Sequence, residues 1–331
     1  MTEEEKTNKP MTEEVKTDKP VKARGKYIIA ALGVLLLVAF ILGGSYIYWQ
    51  LSKITYTDLD QSNEALGINP EATPAIEETQ QPPLNIALFG VDQEVDIDSG
   101  RSDVIMIMSI DKKNRAIKLC SVMRDTYVNI PGYGMDKLNH AYAYGGPQLA
   151  ISTLNSNFDL DIKDYAAVSF SSMAKVIDIV GGVDIEVYES EVPHIRGVES
   201  AGLQHLNGEQ AVDYMRIRYV GHGDYQRTER QRTVLAQIIS NELKVANPDT
   251  LPDLVSALLP YVSTSFSKAD IVRIGLEVLA AQITTVKRER LPLDSTCEGR
   301  LINGIYYLVA DLPANKAALH KYIYENVDMP H

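Results

Sequence analysis

Cysteine is scarce in this sequence of 331 residues. Only Cys120 and Cys297 are present, and no set of Cys and His residues has the spacing of metal ligands. A zinc site built from thiolates and imidazoles is therefore not expected. Cys120 lies within an apolar, strand-like run, so two alternatives stay open for it: a buried free thiol, or a disulfide bond with Cys297.

Positive charge is also in deficit. The chain has 32 Lys and Arg residues against 44 Asp and Glu residues, which gives a net charge of −12. Bulk charge of this sign repels a phosphate backbone, so we do not expect a nucleic-acid partner. The short segment before the apolar run has no helix-turn-helix pattern, which argues against a membrane-bound transcription regulator.

A single apolar run is long enough to cross a bilayer. It extends from Tyr27 to Trp49 without a charged residue, and three basic residues precede it closely. The positive-inside rule then predicts a cytoplasmic N-terminus and an extracellular remainder. A cleaved signal peptide is the alternative, but the run is longer than a signal-peptide core and ends without a small-residue cleavage site.

The sequence therefore predicts four segments. Residues 1–26 contain a duplicated decapeptide that is too polar to form a core, which indicates a disordered cytoplasmic tail. Residues 27–49 form the transmembrane helix, and residues 50–83 form an acidic, proline-containing stalk. Residues 84–331 form one extracellular domain, large enough for a substantial core.

Within this domain, apolar runs and turn signals predict strands interleaved with helices, which indicates a layered α/β architecture. The predicted strands are 84–89, 103–110, 116–122, 165–170, 183–187 and 286–291. The predicted helices are 138–157 (broken at residues 145–147), 171–179, 207–216, 224–246, 253–259, 268–284 and 313–326.

Five arginines lie within seventeen residues of this acidic chain. We call them the arginine cluster: Arg216, Arg218, Arg227, Arg230 and Arg232. Guanidinium groups bind phosphate oxygens bidentately and stay charged, and a helix N-terminus near Asp224 would also favour an anion. The alternative is a solvated helix face paired with neighbouring carboxylates. We assign Arg232 to that solvated surface, because it is on a different helical face from Arg227 and Arg230.

Polar residues also mark the ends of the first three predicted strands. Asp92 follows the first strand, Arg101 and Asp103 introduce the second, and Arg124 follows the third. Loops at strand ends form the ligand sites of open α/β sheets. Two carboxylates beside arginines suit Mg²⁺ bound to diphosphate oxygens, whereas turn caps and a salt bridge are the structural alternatives.

Ordered sequence blocks in residues 84–246 resemble the LytR-CpsA-Psr family. The blocks are NIALFGVD at 85–92, GRSD at 100–103, SVMRDT at 121–126, DKLNHAYAYGG at 136–146, VGGV at 180–183, LNGEQA at 206–211, YMRIR at 214–218, GDYQR at 223–227 and RQR at 230–232. The resemblance implies a central mixed β-sheet flanked by helices, preceded by one N-terminal transmembrane helix. It also implies an apolar cavity for a polyprenyl tail, which residues 166–179 and 234–243 would line unless they only pack in the core.

The family members are membrane-anchored extracytoplasmic phosphotransferases. The resemblance implies transfer of a wall glycopolymer, of the teichoic acid or capsular polysaccharide type, from undecaprenyl pyrophosphate to N-acetylmuramic acid of peptidoglycan. The product is a phosphodiester, and the implied cofactor is Mg²⁺ or Mn²⁺. A hydrolase that splits the same pyrophosphate, and a non-catalytic protein that only binds wall glycan, are the alternatives.

The resemblance also implies a role for individual residues. Asp92 and Asp103 would bind the metal, and they form the catalytic group together with Arg124 and Asp224. The implied pyrophosphate-binding residues are Arg101, Arg124, Lys137, Arg216, Arg218, Arg227 and Arg230. The base that activates the acceptor hydroxyl stays open between Asp92 and Asp224, with His140 and His222 as weaker candidates.

Overall fold

The computed structural model describes residues 55–71, 81–92, 100–221, 223–245 and 248–330. The predicted cytoplasmic tail and transmembrane helix, residues 1–49, and His222 lie outside these ranges. Within the described ranges, none of the helices has the length and apolar character needed to span a bilayer.

The described strands and helices alternate along the chain, as the sequence predicts for an α/β domain. The strands are β1 Thr55–Tyr56, β2 Leu84–Val91, β3 Ser102–Asp111, β4 Ala116–Val122, β5 Tyr127–Ile130, β6 Gly134–Lys137, β7 Asp164–Ser169, β8 Val183–Val187, β9 Gly202–Leu206, β10 Ser263–Thr264, β11 Thr285–Leu291, β12 Cys297–Ile302 and β13 Ile305–Ala310. The α-helices are α1 Leu138–Phe158, α2 Phe170–Ile179, α3 Gly208–Arg216, α4 Asp224–Val245, α5 Leu251–Leu258, α6 Lys268–Ala280 and α7 Leu312–Tyr324.

Seven strands form the central sheet, in the order β1-β10-β7-β2-β3-β4-β11. β3 is antiparallel to both β2 and β4, whereas β7 is parallel to β2 and β11 is parallel to β4. The predicted central mixed sheet is therefore confirmed. Because β2, β4, β7 and β11 run in one direction, all four end at the edge where β3 begins, and this edge collects the polar residues that follow them.

Apolar side chains fill both faces of this sheet. On one face Phe89, Ile107 and Tyr142 belong to a core shared with α1 and α7. On the other face Leu119 and Ala236 belong to a core shared with α4. Burial on both sides explains why β4 is buried throughout and why its sequence is mostly apolar, with Lys118 and Ser121 as the polar exceptions.

The predicted stalk is wrong for residues 55–71, which belong to the folded domain. β1 extends the central sheet by pairing with β10, and the side chains of Leu59, Leu66 and Ile68 are buried in the core. Their burial outweighs the acidic and proline-containing composition that suggested a solvated segment, since each buried aliphatic side chain contributes about 1.5–3 kcal/mol.

Candidate phosphate-binding active site

The common edge of the sheet holds a polar cavity of about 200 Å³. It is lined by Asp92, Asp103, Phe170, Arg216, Arg218, Arg227 and Gln231. Five of these residues were predicted as site residues from the sequence. They converge because Asp92 follows β2, Asp103 lies at the start of β3, and the end of α3 and the first turn of α4 place Arg216, Arg218 and Arg227 at the same edge.

Arg124, at the end of β4, joins the carboxylates that border this cavity. Its Nη1 donates to Asp103 Oδ1 at 2.7 Å, its Nη2 lies 3.1 Å from Asp224 Oδ2, and its Nε lies 3.6 Å from Asp125 Oδ2. Burial acts to lower the pKa of Arg124, but the three carboxylates outweigh burial and raise it. Arg124 is therefore a permanent cation that holds Asp103 and Asp224 in place.

Arg227 is a buried cation with few partners. Its side chain is 4% exposed, and its Nη2 lies 3.2 Å from Asp224 Oδ2. Nε and Nη1 of Arg227 have no hydrogen-bond partner among the described residues. Burial, and then the charge of Arg124, lower the pKa of its guanidinium. Unsatisfied buried N–H donors are costly, so this side chain is prepared to bind an anion in the cavity it lines.

Arg216 and Arg218 approach the cavity from the end of α3. A capping box fixes the start of α3, because Asn207 and Gln210 bond to each other's backbone N–H groups. At its end, the Arg216 guanidinium lies 4.5 Å from the centre of the Phe170 ring. Arg218 Nη2 lies 3.7 Å from Asp103 Oδ2, and its side chain is half exposed. Both arginines therefore face the cavity from its solvent side.

Arg230 does not line this cavity, which corrects its assignment to the pyrophosphate site. Its side chain is buried, its Nε donates to Glu191 Oε1 at 2.6 Å, and its Nη1 donates to the carbonyl oxygen of Ile217 at 3.1 Å. These contacts use the guanidinium group for structure. Ile217 lies between Arg216 and Arg218, so Arg230 positions the phosphate-directed arginines without facing the cavity.

Lys137 and Arg101 are also not among the residues that line the cavity. Lys137 Nζ donates to Asp125 Oδ1 at 2.6 Å, and Asp125 in turn contacts Arg124. Arg101 is exposed and lies close enough to Tyr144 for its charge to act on the tyrosine hydroxyl. Both residues therefore border the site beyond Arg124.

The solvated position predicted for Arg232 is wrong. The residue is 8% exposed, because the face of α4 that carries it packs on β4 and β11. It lines a second cavity of about 280 Å³ with Arg288, Arg290 and Glu229 among the other lining residues. Burial lowers the pKa of its guanidinium. A helix of the length of α4 buries more than one face when it lies over the end of a sheet.

A third cavity, of about 210 Å³ and almost entirely apolar, adjoins the polar cavity that Asp92 and Asp103 line. The two cavities share Phe170 and Gln231. Its other lining residues are Leu88, Phe89, Gly90, Val104, Met106, Ala166, Val168, Ser169, Met173, Val176, Met215, Leu235, Ile238, Leu258 and Val262. Both apolar stretches singled out in the sequence contribute to this lining.

The sequence predicts Phe170 only as part of a stretch for the apolar cavity, and Gln231 was not recognised from it. Phe170 begins α2 directly after β7, where the Ser169 side chain caps the helix by accepting from Ser172 N at 3.1 Å. β7 ends at the same edge as β2 and β4, so the position of Phe170 follows once the strand order is known. Gln231 is one helical turn after Arg227, and that spacing was the available signal.

Carboxylates of the polar cavity are the possible ligands for a metal ion. Within the described ranges, no group of three or more His, Cys, Asp or Glu side chains is arranged to hold one. Asp92 and Asp103 nevertheless line the same cavity beside three arginines. One or two carboxylates are what Mg²⁺ combines with phosphate oxygens and water, so the residues fit a cation that is bound jointly by the protein and a pyrophosphate.

The chain belongs to the LytR-CpsA-Psr family, whose model matches residues 45–322. It is 32% identical over 280 residues to the polyisoprenyl-teichoic acid–peptidoglycan teichoic acid transferase TagU of Enterococcus faecalis, covering 81% of this chain and 88% of that protein. Homologues of this chain are thus named as transferases.

Solved structures of relatives share the fold. TagT bound to LI-WTA superposes with a TM-score of 0.64 at 25% identity, covering 81% of this chain and 99% of that chain. The family protein YwtF (TagT) with bound octaprenyl pyrophosphate lipid superposes with a TM-score of 0.57 at 26% identity, covering 73% of this chain and 90% of that chain.

Proposed function

We propose that this protein transfers a wall glycopolymer, of the teichoic acid or capsular polysaccharide type, from undecaprenyl pyrophosphate to N-acetylmuramic acid of peptidoglycan. The proposal rests on one observation. A polar cavity adjoins an apolar cavity at Phe170 and Gln231, and it is lined by the buried Arg227, two of whose guanidinium nitrogens lack a hydrogen-bond partner among the described residues. A ligand that fits both has a multiply charged anionic head joined to a long hydrocarbon, which describes a polyprenyl pyrophosphate.

The arginines supply the charge that this reaction needs. The acceptor hydroxyl attacks the phosphorus that carries the glycan, a new P–O bond forms, and the P–O–P bond of the pyrophosphate breaks. Negative charge builds up on the leaving polyprenyl phosphate, and Arg216, Arg218 and Arg227 lie where they can neutralise it. The tail stays in the apolar cavity while its phosphate leaves.

The acceptor proton passes to a carboxylate of the site. Asp92 and Asp224 are the candidates, and the two carboxylates differ in their contacts. Asp224 accepts from both Arg124 and Arg227, whereas Asp92 is exposed at the cavity. Asp92 is the more accessible of the two carboxylates, whereas a metal ion held by Asp92 would leave Asp224 as the base. His140 is bonded to Asp136 and does not line the cavity.

Asp92 and Asp103 would hold Mg²⁺ or Mn²⁺ between the protein and the pyrophosphate. When bound, the ion supplies Lewis-acid stabilisation of phosphate charge. It also explains why carboxylates border an anion site, since without a cation they would repel the ligand. Arg124 keeps the Asp103 carboxylate in position for this role through their 2.7 Å contact.

We further propose that the domain works outside the cell, with residues 27–49 as a single membrane span and residues 1–26 in the cytoplasm. The support is the sequence: the charge bias around the apolar run predicts this orientation. A lipid-linked donor and a peptidoglycan acceptor are both accessible at the outer face of the membrane.

The test is reconstitution of the full-length protein in detergent with Mg²⁺, a lipid-linked pyrophosphoryl glycan and peptidoglycan fragments. We expect a phosphodiester-linked product, which mass spectrometry detects. Arg227→Gln and Asp103→Asn should abolish it, whereas the matched control Arg273→Gln, on the exposed face of α6, should not. Release of glycan phosphate without an acceptor adduct would identify a hydrolase instead, and full activity of Arg227→Gln would refute the site.

A further inference from the structure

Two exposed tyrosines form a stacked pair beside the active site. Tyr133 lies in the tight turn between β5 and β6, where Gly132 and Gly134 adopt positive φ angles of 79° and 83°. Tyr144 lies on α1, and the two rings are 4.7 Å apart and inclined by 16°. Their exposed fractions are 58% and 43%. We call Tyr133 and Tyr144 the tyrosine platform.

The platform is held in position by Asp136. The Tyr144 hydroxyl donates to Asp136 Oδ2 at 2.7 Å, and His140 Nδ1 lies 2.8 Å from the same oxygen. The hydroxyl of the buried Tyr307 donates to Asp136 Oδ1 at 3.3 Å. Tyr144 is therefore a fixed support on which the more exposed Tyr133 ring stacks, and a rigid aromatic face binds a ligand with little loss of conformational entropy.

The charged groups beneath the platform are satisfied within the protein. Asp136 is bonded to Tyr144, His140 and Tyr307, and Lys137 is bonded to Asp125 at 2.6 Å. The platform thus offers flat aromatic faces bordered by polar groups. An exposed aromatic patch of this kind marks an interaction site, and a ring with one apolar face and peripheral hydroxyl or amide groups is complementary to it.

The platform is connected to the polar cavity of the active site through a chain of contacts. Lys137 Nζ lies 5.8 Å from the centre of the Tyr307 ring, Lys137 binds Asp125, and Asp125 contacts Arg124. The apolar cavity meets the polar one at different residues, Phe170 and Gln231. In phosphoryl transfer the attacking and leaving oxygens lie roughly in line, so acceptor and leaving group need separate approaches.

We propose that the tyrosine platform binds a sugar ring of the acceptor glycan strand and so directs an acceptor hydroxyl to the polar cavity of the active site. This inference rests on the proposed function, in which the acceptor is an N-acetylated polysaccharide. A pyranose ring stacks its C–H face on the outer face of Tyr133, the more exposed ring of the pair, while Tyr144 supports Tyr133 from the other side. The platform determines acceptor affinity and takes no part in donor binding.

The experiment measures glycan binding without turnover. Full-length protein in detergent is titrated with chitotetraose, a neutral β-1,4-linked N-acetylglucosamine tetramer, by calorimetry. We expect Tyr144→Ala and Tyr133→Ala each to weaken binding by about three- to tenfold, the range for one aromatic contact. Tyr133→Phe should retain the affinity, because its ring face is preserved. Tyr188→Ala, another exposed tyrosine at 66%, is the matched control and should bind like the wild type.

Kinetics with peptidoglycan fragments give the second readout. Tyr133→Ala and Tyr144→Ala should raise KM for the acceptor and leave KM for the lipid-linked donor unchanged. Unchanged chitotetraose binding in both variants, or an equal loss in Tyr188→Ala, would overturn the proposal. If Tyr133→Ala and Tyr144→Ala bound chitotetraose normally but lost binding to phospholipid vesicles, the platform would contact the membrane, and the proposal would be overturned.

The two levels of inference fail separately. Tyrosine-dependent glycan binding without any transfer product would keep the platform and refute the proposed reaction. Transfer with an acceptor KM that is insensitive to Tyr133 and Tyr144 would keep the reaction and refute the platform.

Discussion

Arg230 donates a hydrogen bond from Nη1 to the carbonyl oxygen of Ile217 at 3.1 Å, which ties α4 to the turn that presents Arg216 and Arg218. Glu191 completes this arrangement from the segment after β8 at 2.6 Å. The buried ion pair of Arg230 and Glu191 thus helps to position two of the arginines that line the polar cavity.

Removing this support should damage both stability and binding. Arg230→Met leaves Glu191 buried without its cation, so the free energy of unfolding should fall by about 3–5 kcal/mol. Urea denaturation measures this loss. The double variant Arg230→Met/Glu191→Leu should recover much of the stability without recovering pyrophosphate affinity, because the carbonyl group of Ile217 still lacks its donor. Recovery of both would show that the bond to Ile217 is unimportant.

Substitution of Arg227 should preserve the stability of the protein but remove its binding of polyprenyl pyrophosphate. Two of the Arg227 guanidinium nitrogens are buried and have no partner in the described part of the chain, so Arg227→Met should leave the Tm of the ligand-free protein unchanged or higher. The stabilisation by added polyprenyl pyrophosphate should disappear, because the anion loses its buried cation. Differential scanning fluorimetry with and without ligand measures both effects. A large fall in the ligand-free Tm would show that Arg227 is mainly structural.

The apolar cavity should discriminate donors by their hydrocarbon. Val168→Phe places a larger side chain in the cavity that Val168 lines, so affinity should fall about tenfold or more for an undecaprenyl pyrophosphate and little for inorganic pyrophosphate. Competition binding with the two ligands measures the difference. The control Leu276→Phe changes an exposed position on α6 and should leave both affinities unaltered.

Acid should lower the free energy of unfolding of the protein by protonating Asp111. Its carboxylate binds the buried Lys118 Nζ at 2.6 Å. Burial acts to raise the pKa of Asp111, but hydrogen bonds from Lys118 and Asn114 outweigh it and lower the pKa below 3.8. The ion pair therefore contributes fully above the unfolded pKa, and this contribution is lost as the pH falls through the folded pKa.

Asp111→Asn tests this pH dependence. At pH 7 the variant should be less stable than the wild type by about 3 kcal/mol or more, and the difference should shrink as the pH falls below about 4. Asp253→Asn, at an exposed position, is the control. A difference that stays constant down to pH 3 would contradict the assignment.

The two cysteines should react differently. Both are free thiols, Cys120 buried and Cys297 half-buried. Burial raises the pKa of Cys120 to about 12, and burial also raises the pKa of Cys297. Iodoacetamide at pH 8.5 should slowly label Cys297 alone in the native protein and both residues after denaturation, as mass spectrometry would show. A need for reductant before any labelling would indicate a disulfide.

The sequence predicted those elements whose pattern is set by burial. β4 and β8 have the predicted bounds, and the break in α1 falls at Gly145 and Gly146, whose dihedral angles are not helical. The residue types at the ends of β2 and β3 predicted Asp92 and Asp103 of the polar cavity, and the arginine cluster predicted Arg216, Arg218 and Arg227.

Elements with weak local patterns were missed. The hairpins β5–β6 and β12–β13 have several exposed residues in short strands, so period-two alternation is poorly developed. Arg230 and Arg232 were misplaced for a different reason. Their roles depend on Glu191 and on β11, which are distant in sequence, and helical spacing alone does not show which partner each face of α4 meets.

Phe170 and Gln231 belong to both cavities, so the head and the tail of the proposed ligand would be bound at adjoining sites. Once the pyrophosphate is bound, the hydrocarbon is confined beside its cavity at a high effective concentration, and the tail does the same for the head. Each half alone is then a weak ligand and the intact amphiphile a strong one. In the proposed reaction, breaking the P–O–P bond would remove this coupling for the glycan and keep it for the polyprenyl phosphate, so we expect the polymer to leave first.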